Sequence, residues 1–289
     1  MLHYNKPSFR NINLQKYEDI FKSGFVTQGR YKKKLENKIN EYTGAKYSCA
    51  VNNATSGLAI AGIALGIKSN DIVWTTSMTF VATANAFLWL GATVKLIDIC
   101  YVNFLMNVDL LKSELKKANL SKTLPKAIVV VHFGRSLVNL SEIHHICSYY
   151  GIRIIEDASQ AFGAVDNKMK AVGNCSLVDV SILSFQASKS ITCGEGGIVL
   201  TDSEEIYSKC WKLKNHGRPV KGTFIHEDIG YNFAFTDIQA AIGISQMAKL
   251  PKIINKKNQI RNKYIQALED IEEINFLKIH EDSTPVHWF

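Results

Sequence analysis

Between residues 71 and 202 short β-rich runs alternate with segments of helical period, and this alternation restricts the possible folds more than any other feature of the chain. "DIVWTT" (71–76) precedes the helix-like "FVATANAFLWLG", and "TVKLIDI" (93–99) precedes the amphipathic "VDLLKSELKKA" (108–118). "AIVVVHF" (127–133) precedes "LSEIHHICSYYG" (140–151), which a glycine closes. "IRIIED" (152–157), "DVSILSF" (179–185) and "GIVLTD", ending at Asp202, follow. A strand that returns through a helix runs parallel to the one before it, and strands that are apolar throughout are covered on both faces. The predicted fold is therefore α/β, a mostly parallel sheet with helices on both faces.

In such a sheet ligands sit outside the carboxyl ends of the strands. The segments that leave those ends are "NNATSG" (52–57), "SMTF" (77–80), "VHFGR" (131–135), "EDASQ" (156–160) and "SFQASK" (184–189). From Asp237 the pattern changes to two long helices broken at Pro251, followed by a β-like start, "INFLK" (274–278). The last residues, "PVHWF", lie inside an apolar stretch, so a fragment whose second domain is missing is expected.

Composition narrows the function classes. The chain has 289 residues, enough for one large domain with a full core. Its six cysteines form no CxxC pair, so they are expected as reduced thiols rather than metal ligands. "GLAIAGIALGI" is too short to cross a bilayer, and the opening residues have no apolar leader core, so a cytoplasmic protein is expected. Net charge is +8, but the basic clusters "RYKKK" (30–34) and "NKKNQIRNKY" (255–264) lie on helical stretches with apolar residues at i, i+3, i+4 spacing. They read as solvated helix faces, and no nucleic-acid motif accompanies them.

Lys189 stands among serines, an isoleucine and a cysteine in "SFQASKSITCGEGG". A free lysine titrates near about 10.4, so an amine that acts at neutral pH has to be activated. Condensation with pyridoxal phosphate is the usual solution, and that cofactor asks four things of a protein. Lys189 supplies an amine, and Asp157 can meet the ring nitrogen. Thr55 and Ser56 begin a helix, a ready phosphate site, and Ser184 can add a hydroxyl. Phe80 can stack on the ring, and Gln160 can reach its phenolic oxygen. Each residue alone has a plainer reading: Lys189 as a surface lysine, Asp157 and "NATSG" as helix starts, and Phe80 as core. "GEGG" reads as a tight turn before a strand, not as a P-loop.

Taken together, "EDASQAFGA", "DVSILSFQASKSITCGEGGIVLT", "NHGR" and "GYNFAFTDIQAAIG" resemble the nucleotide-sugar aminotransferases of the DegT/StrS type, within the fold-type-I pyridoxal phosphate enzymes. "TTSMTFVATANAFLWLGATVKLIDI" and "GFVTQGRYKKKLENKINEYTG" extend the similarity over nearly the whole chain. The resemblance implies that Lys189 carries the cofactor and moves the proton, and that Asp157 holds the pyridine nitrogen. It assigns Gln160 to the phenolic oxygen, Thr55, Ser56 and Ser184 to the phosphate, and Phe80 to the ring. It implies that Asn232 reaches the phosphate of a neighbouring subunit in a homodimer with shared active sites. The implied reaction is transamination of a keto group on a nucleotide-linked deoxysugar, with glutamate as donor, most similar to the branch acting on UDP-linked 4-keto sugars. A large cofactor-binding domain over 1–245, opening with a helical segment to about residue 45, would be followed by connecting helices and a truncated small domain over 246–289. Departures are Asn53 and Ala54 where the family usually has Ser-Gly, Ala234 where it often has arginine, and Gln186-Ala187-Ser188 where it often has His-Pro-Thr. A non-catalytic family member, or a sugar dehydratase with histidine replacing the lysine, are the alternatives, and Lys189 argues against the second.

Overall fold

The structure is a computed structural model that describes residues 7–9, 12, 14–134, 136–166, 168–220, 222–277 and 284–288. Arg135, Lys278 and Phe289, each part of a segment singled out in the sequence, lie outside the described residues. The strands are β1 (Tyr47–Val51), β2 (Ile72–Thr76), β3 (Thr93–Ile97), β4 (Ala127–Val131), β5 (Arg153–Asp157), β6 (Val180–Ser184) and β7 (Gly197–Thr201). The helices are α1 (Gln15–Ser23), α2 (Arg30–Thr43), α3 (Ala54–Ala64), α4 (Ala82–Leu88), α5 (Val108–Leu120), α6 (Leu140–Tyr150), α7 (Glu204–Lys214), α8 (Asp237–Met247) and α9 (Leu250–Leu268).

The strands form one sheet in the order β1-β7-β6-β5-β4-β2-β3. Pairing is parallel from β6 through β3, whereas β7 runs antiparallel to both β6 and β1. The predicted mostly parallel sheet is thus present. The exception arises because no helix intervenes between Ser184 and Gly197, so the chain turns straight back.

Alternation along the strands divides the core. Cys49, Val51, Val73, Val129, Ile155, Ile182 and Val199 pack with apolar residues of α3, α4 and α7 on one face. On the other face Trp74, Ile128, Val130 and Ile154 meet α5 and α6. Ala50, Leu183, Ile198 and Leu200 meet α2 and α8 on that same face at the β7 end. β4 and β6 are buried along their whole length, which is why their sequences are apolar without interruption.

Several ends are set by named residues. Asn53, Asn107, Asn139 and Ser203 accept N-cap hydrogen bonds at α3, α5, α6 and α7, and Gly151 closes α6 at φ 68°. Thr236 and Gln239 form a capping box on α8. Pro251 does not break a helix; it sits in the first turn of α9, where its missing N–H costs nothing, and the break falls just before it. The β-like "INFL" stretch forms no strand: residues 274–277 carry no regular secondary structure. No helix among the described residues is long and apolar enough to cross a membrane.

Candidate active site

The parallel strands bring their carboxyl ends to one edge of the sheet, and the register places Asp157 beside Val131 on one side and Ile182 on the other. Asp157 is 6% exposed. Its Oδ2 accepts a 2.7 Å hydrogen bond from the Thr83 hydroxyl, and its Oδ1 accepts one from the Ser159 N–H at 3.1 Å. The Thr83 hydroxyl is in turn 2.7 Å from that of Thr79. Asp157 caps no helix, since residues 158–163 form turns only.

Lys189 follows β6 in a loop whose shape is fixed from inside. The Phe185 N–H donates to the Gly196 carbonyl, the Cys193 N–H and the Thr192 hydroxyl donate to the Phe185 carbonyl, and the Lys189 N–H donates to the Gln186 carbonyl. The Gln186 side chain accepts from both the N–H and the hydroxyl of Ser188, at 2.8 and 2.7 Å. The Gln186-Ala187-Ser188 departure therefore builds its own rigid turn. Burial pushes the Lys189 amine down to about 8, with the attraction of Asp157 acting in the opposite direction. The Lys189 Nζ lies 3.5 Å from the centre of the Trp288 ring.

Thr55 and Ser56 occupy the first turn of α3, directly after β1. The cap itself is Asn53, whose Oδ1 accepts from the Ser56 N–H at 2.8 Å. The neighbouring strand makes room for Asn53-Ala54: a Cβ on Gly197 would lie 2.6 Å from the Ala54 nitrogen and from the Asn53 carbonyl carbon. Ser184 ends β6 opposite Gly197, and its Oγ accepts from the Gln186 N–H at 3.4 Å. Gln160 is buried and its Oε1 accepts from the Gly134 N–H at 3.2 Å. Phe80 is not core but 71% exposed, just ahead of α4. Asn232 is exposed and bridged to Asn215, while the next residue, Phe233, accepts the Asn52 N–H through its carbonyl. The predicted residues thus distribute along one sheet edge, with Asp157 and Lys189 within electrostatic reach of each other.

Sequence reasoning missed four residues that stand beside the predicted ones. Thr79 and Thr83 stand four residues apart around the start of α4, a spacing that would have paired them. The Gly134 N–H gave no signal, because it acts through its backbone. Trp288 comes from a hundred residues downstream of Ser188, whose carbonyl accepts its Nε1–H at 2.8 Å.

Comparison with known proteins identifies the family. A sequence model of the DegT/DnrJ/EryC1/StrS aminotransferase family matches residues 7–289. The chain belongs to that family. Among its relatives is the UDP-4-amino-4,6-dideoxy-N-acetyl-beta-L-altrosamine transaminase of Campylobacter jejuni (strain 81-176), 36% identical over 283 residues that cover 97% of this chain and 73% of the relative. The GDP-perosamine synthase of Escherichia coli O157:H7 is 33% identical over 97% of this chain and 74% of its own. Among solved structures, the Helicobacter pylori aminotransferase PseC, involved in pseudoaminic acid biosynthesis, superposes with a TM-score of 0.83 at 28% identity, covering 93% of this chain and 71% of that one. The aminotransferase TlmJ from Streptoalloteichus hindustanus gives 0.91 at 25% identity, over all of this chain and 77% of that one. The DegT/StrS resemblance and the fold-type-I expectation both hold.

Proposed function

We propose that this aminotransferase moves an amino group from glutamate to a keto carbon of a nucleotide-linked deoxysugar, with pyridoxal phosphate as cofactor. The observation that carries the reading is the sheltered Lys189 amine, held at about 8 within reach of the buried Asp157 carboxylate.

The donor set fits the cofactor. An amine, a carboxylate and a capped helix N-terminus stand on one sheet edge, matching an aldehyde, a pyridine nitrogen and a phosphate. Gly197 lets β7 pack directly against the backbone at the start of α3, which holds that helix N-terminus in place: a Cβ there would lie 2.6 Å from the Ala54 nitrogen. When bound, pyridoxal phosphate supplies an electron sink for the carbon that loses its proton.

The chain's own residues do the rest. With its amine at about 8, roughly a tenth of Lys189 is neutral at pH 7, against about one in a few thousand for a free lysine. That fraction is available as nucleophile, and Nζ is then placed to take and return a proton. Asp157 holds a proton on the ring nitrogen, while Thr83 and Ser159 fix its two oxygens. Gln160, oriented by the Gly134 N–H, meets the phenolic oxygen. Thr55, Ser56 and Ser184 hold the phosphate, and Phe80 covers a ring face. Asn232 serves the partner subunit of a homodimer. Exposed Phe80, Val81, Leu88 and Trp89 around α4, with Phe224, Ile225 and Ile229 in the loop before Asn232, support that assembly. We place the large domain at 1–245 and the connection to a small domain at 246–289.

The named relatives act on UDP-linked and GDP-linked sugars, so both are tested. The purified chain is incubated with pyridoxal phosphate, glutamate and a 4-keto-6-deoxy sugar on either nucleotide, and the products are read by mass spectrometry. The amino sugar and 2-oxoglutarate are expected together, and neither from Lys189→Ala. Full turnover by Lys189→Ala would refute the assignment.

A further inference from the structure

Residues 284–288 lie as a strap over the lysine loop. Thr284 and Val165 exchange backbone hydrogen bonds at 2.9 and 3.0 Å. Val286 is buried in the core beside α9, in space that Gly163 leaves open: a Cβ there would meet the Val286 side chain at 3.3 Å and that of Ile254 at 2.8 Å. The Lys257 ammonium of α9 donates to the Trp288 carbonyl at 2.6 Å. The strap is therefore pinned at its start, middle and end. From this strap Trp288, which is 8% exposed, reaches the lysine loop. Its Nε1–H holds the carbonyl of Ser188, and its ring face covers the Nζ of Lys189 at 3.5 Å.

We propose that Trp288 is a positioning residue of this active site, whose ring shuts water away from the Lys189 amine and whose Nε1–H holds the turn that aims it. This rests on the reading of Lys189 as the cofactor-carrying amine. A ring face attracts a cation, which favours the charged lysine, whereas the burial that the same ring provides favours the neutral one. Asp157 also favours the charged form, and Lys257 stands at the far side of the strap. Burial outweighs the attraction of Asp157, since the amine sits well below the ordinary lysine range. Trp288 thus raises the neutral fraction, and without it the amine returns toward water and toward its usual value.

The test follows capture of pyridoxal phosphate against pH. In that step the neutral amine bonds to the aldehyde carbon and the aldehyde oxygen leaves as water; borohydride then fixes the product by adding hydride. The parent is expected to show a capture midpoint near about 8. In Trp288→Ala the midpoint should rise by about one unit, making capture below it roughly tenfold slower. Trp288→Phe keeps a ring and should keep the midpoint, while losing the Ser188 hydrogen bond and, with it, part of the rate. Thr284→Pro removes the N–H that pins the strap and should reproduce the Trp288→Ala shift by undocking it. Parent indole fluorescence should change on cofactor binding by more than that of Trp288→Phe. An unchanged or lowered midpoint in both Trp288→Ala and Thr284→Pro, with circular dichroism intact, would overturn the proposal. Fixation on a residue other than Lys189 in the parent would overturn the underlying reading instead, so the two failures are distinct.

Discussion

The role proposed for Lys189 asks for a buried amine, and burial of an amine costs the folded chain. An amine moved from 10.5 to about 8 opposes folding at neutral pH by up to roughly 3 kcal/mol. The unfolded chain binds the extra proton between those two values, so this cost is complete below about 8 and fades as pH rises toward the unfolded value. Lys189→Met should therefore raise the melting temperature of the cofactor-free protein at pH 7 and raise it less at pH 9.5, while abolishing transamination. A lower melting temperature at both pH values would show that the amine is not paying for its burial. Asp157→Asn should keep the fold, because the amide oxygen can still accept from Thr83, but lose most of the rate, measured as single-turnover amination. Rates equal to the parent would remove Asp157 from the chemistry. At this scale the position of the candidates was legible: Asp157 and Ser184 end β5 and β6, and Gln160 and Lys189 lie in the loops that follow them. The sequence did not show Trp288 or the Gly134 N–H, because one arrives through tertiary docking and the other through the backbone.

Elements position the site through two close approaches. Gly197 lets β7 pass the start of α3, with backbone rather than flexible side chain on the other side. Gly197→Ala should cost roughly 1–3 kcal/mol by overpacking and weaken cofactor binding more than it lowers stability, as read by equilibrium dialysis and by melting. Cofactor affinity equal to the parent's would mean that α3 does not hold the phosphate. At the other approach, buried Asp237 at the start of α8 accepts from the N–H groups of Gly29, Tyr31 and Lys32, at 2.8, 3.1 and 3.1 Å. A carboxylate on the amino end of α2 complements the helix dipole and ties residues 29–32 to the start of α8. Asp237→Ala should destabilise the chain by about 2 kcal/mol or more, checked by urea unfolding. Strands and helices were legible because the apolar period changes from 2 to 3.6 at their borders. The antiparallel β7 was not, since strand direction depends on the connection rather than on the strand's own residues. Pro251 misled for a similar reason: the same ring that ends a helix from inside is at home in a first turn.

Across the whole molecule, net charge and cysteine count gave no access to the assembly. The homodimer proposed above rests on exposed apolar residues such as Ile229, 87% exposed, which the sequence alone does not distinguish from core. Ile229→Asp should leave the melting temperature unchanged and shift the chain from dimer to monomer in sedimentation, with activity falling in parallel; a parent that sediments as a monomer would remove the shared-site role of Asn232. The central claim is that Lys189 is the amine that carries pyridoxal phosphate. Its most direct test is the visible spectrum of the purified chain with pyridoxal phosphate, before and after glutamate, followed by borohydride and peptide mapping. The expected result is a protein-bound band that bleaches with glutamate and, when reduced beforehand, leaves the cofactor on Lys189. Cofactor fixed elsewhere, or a bound band unaffected in Lys189→Ala, would contradict the account.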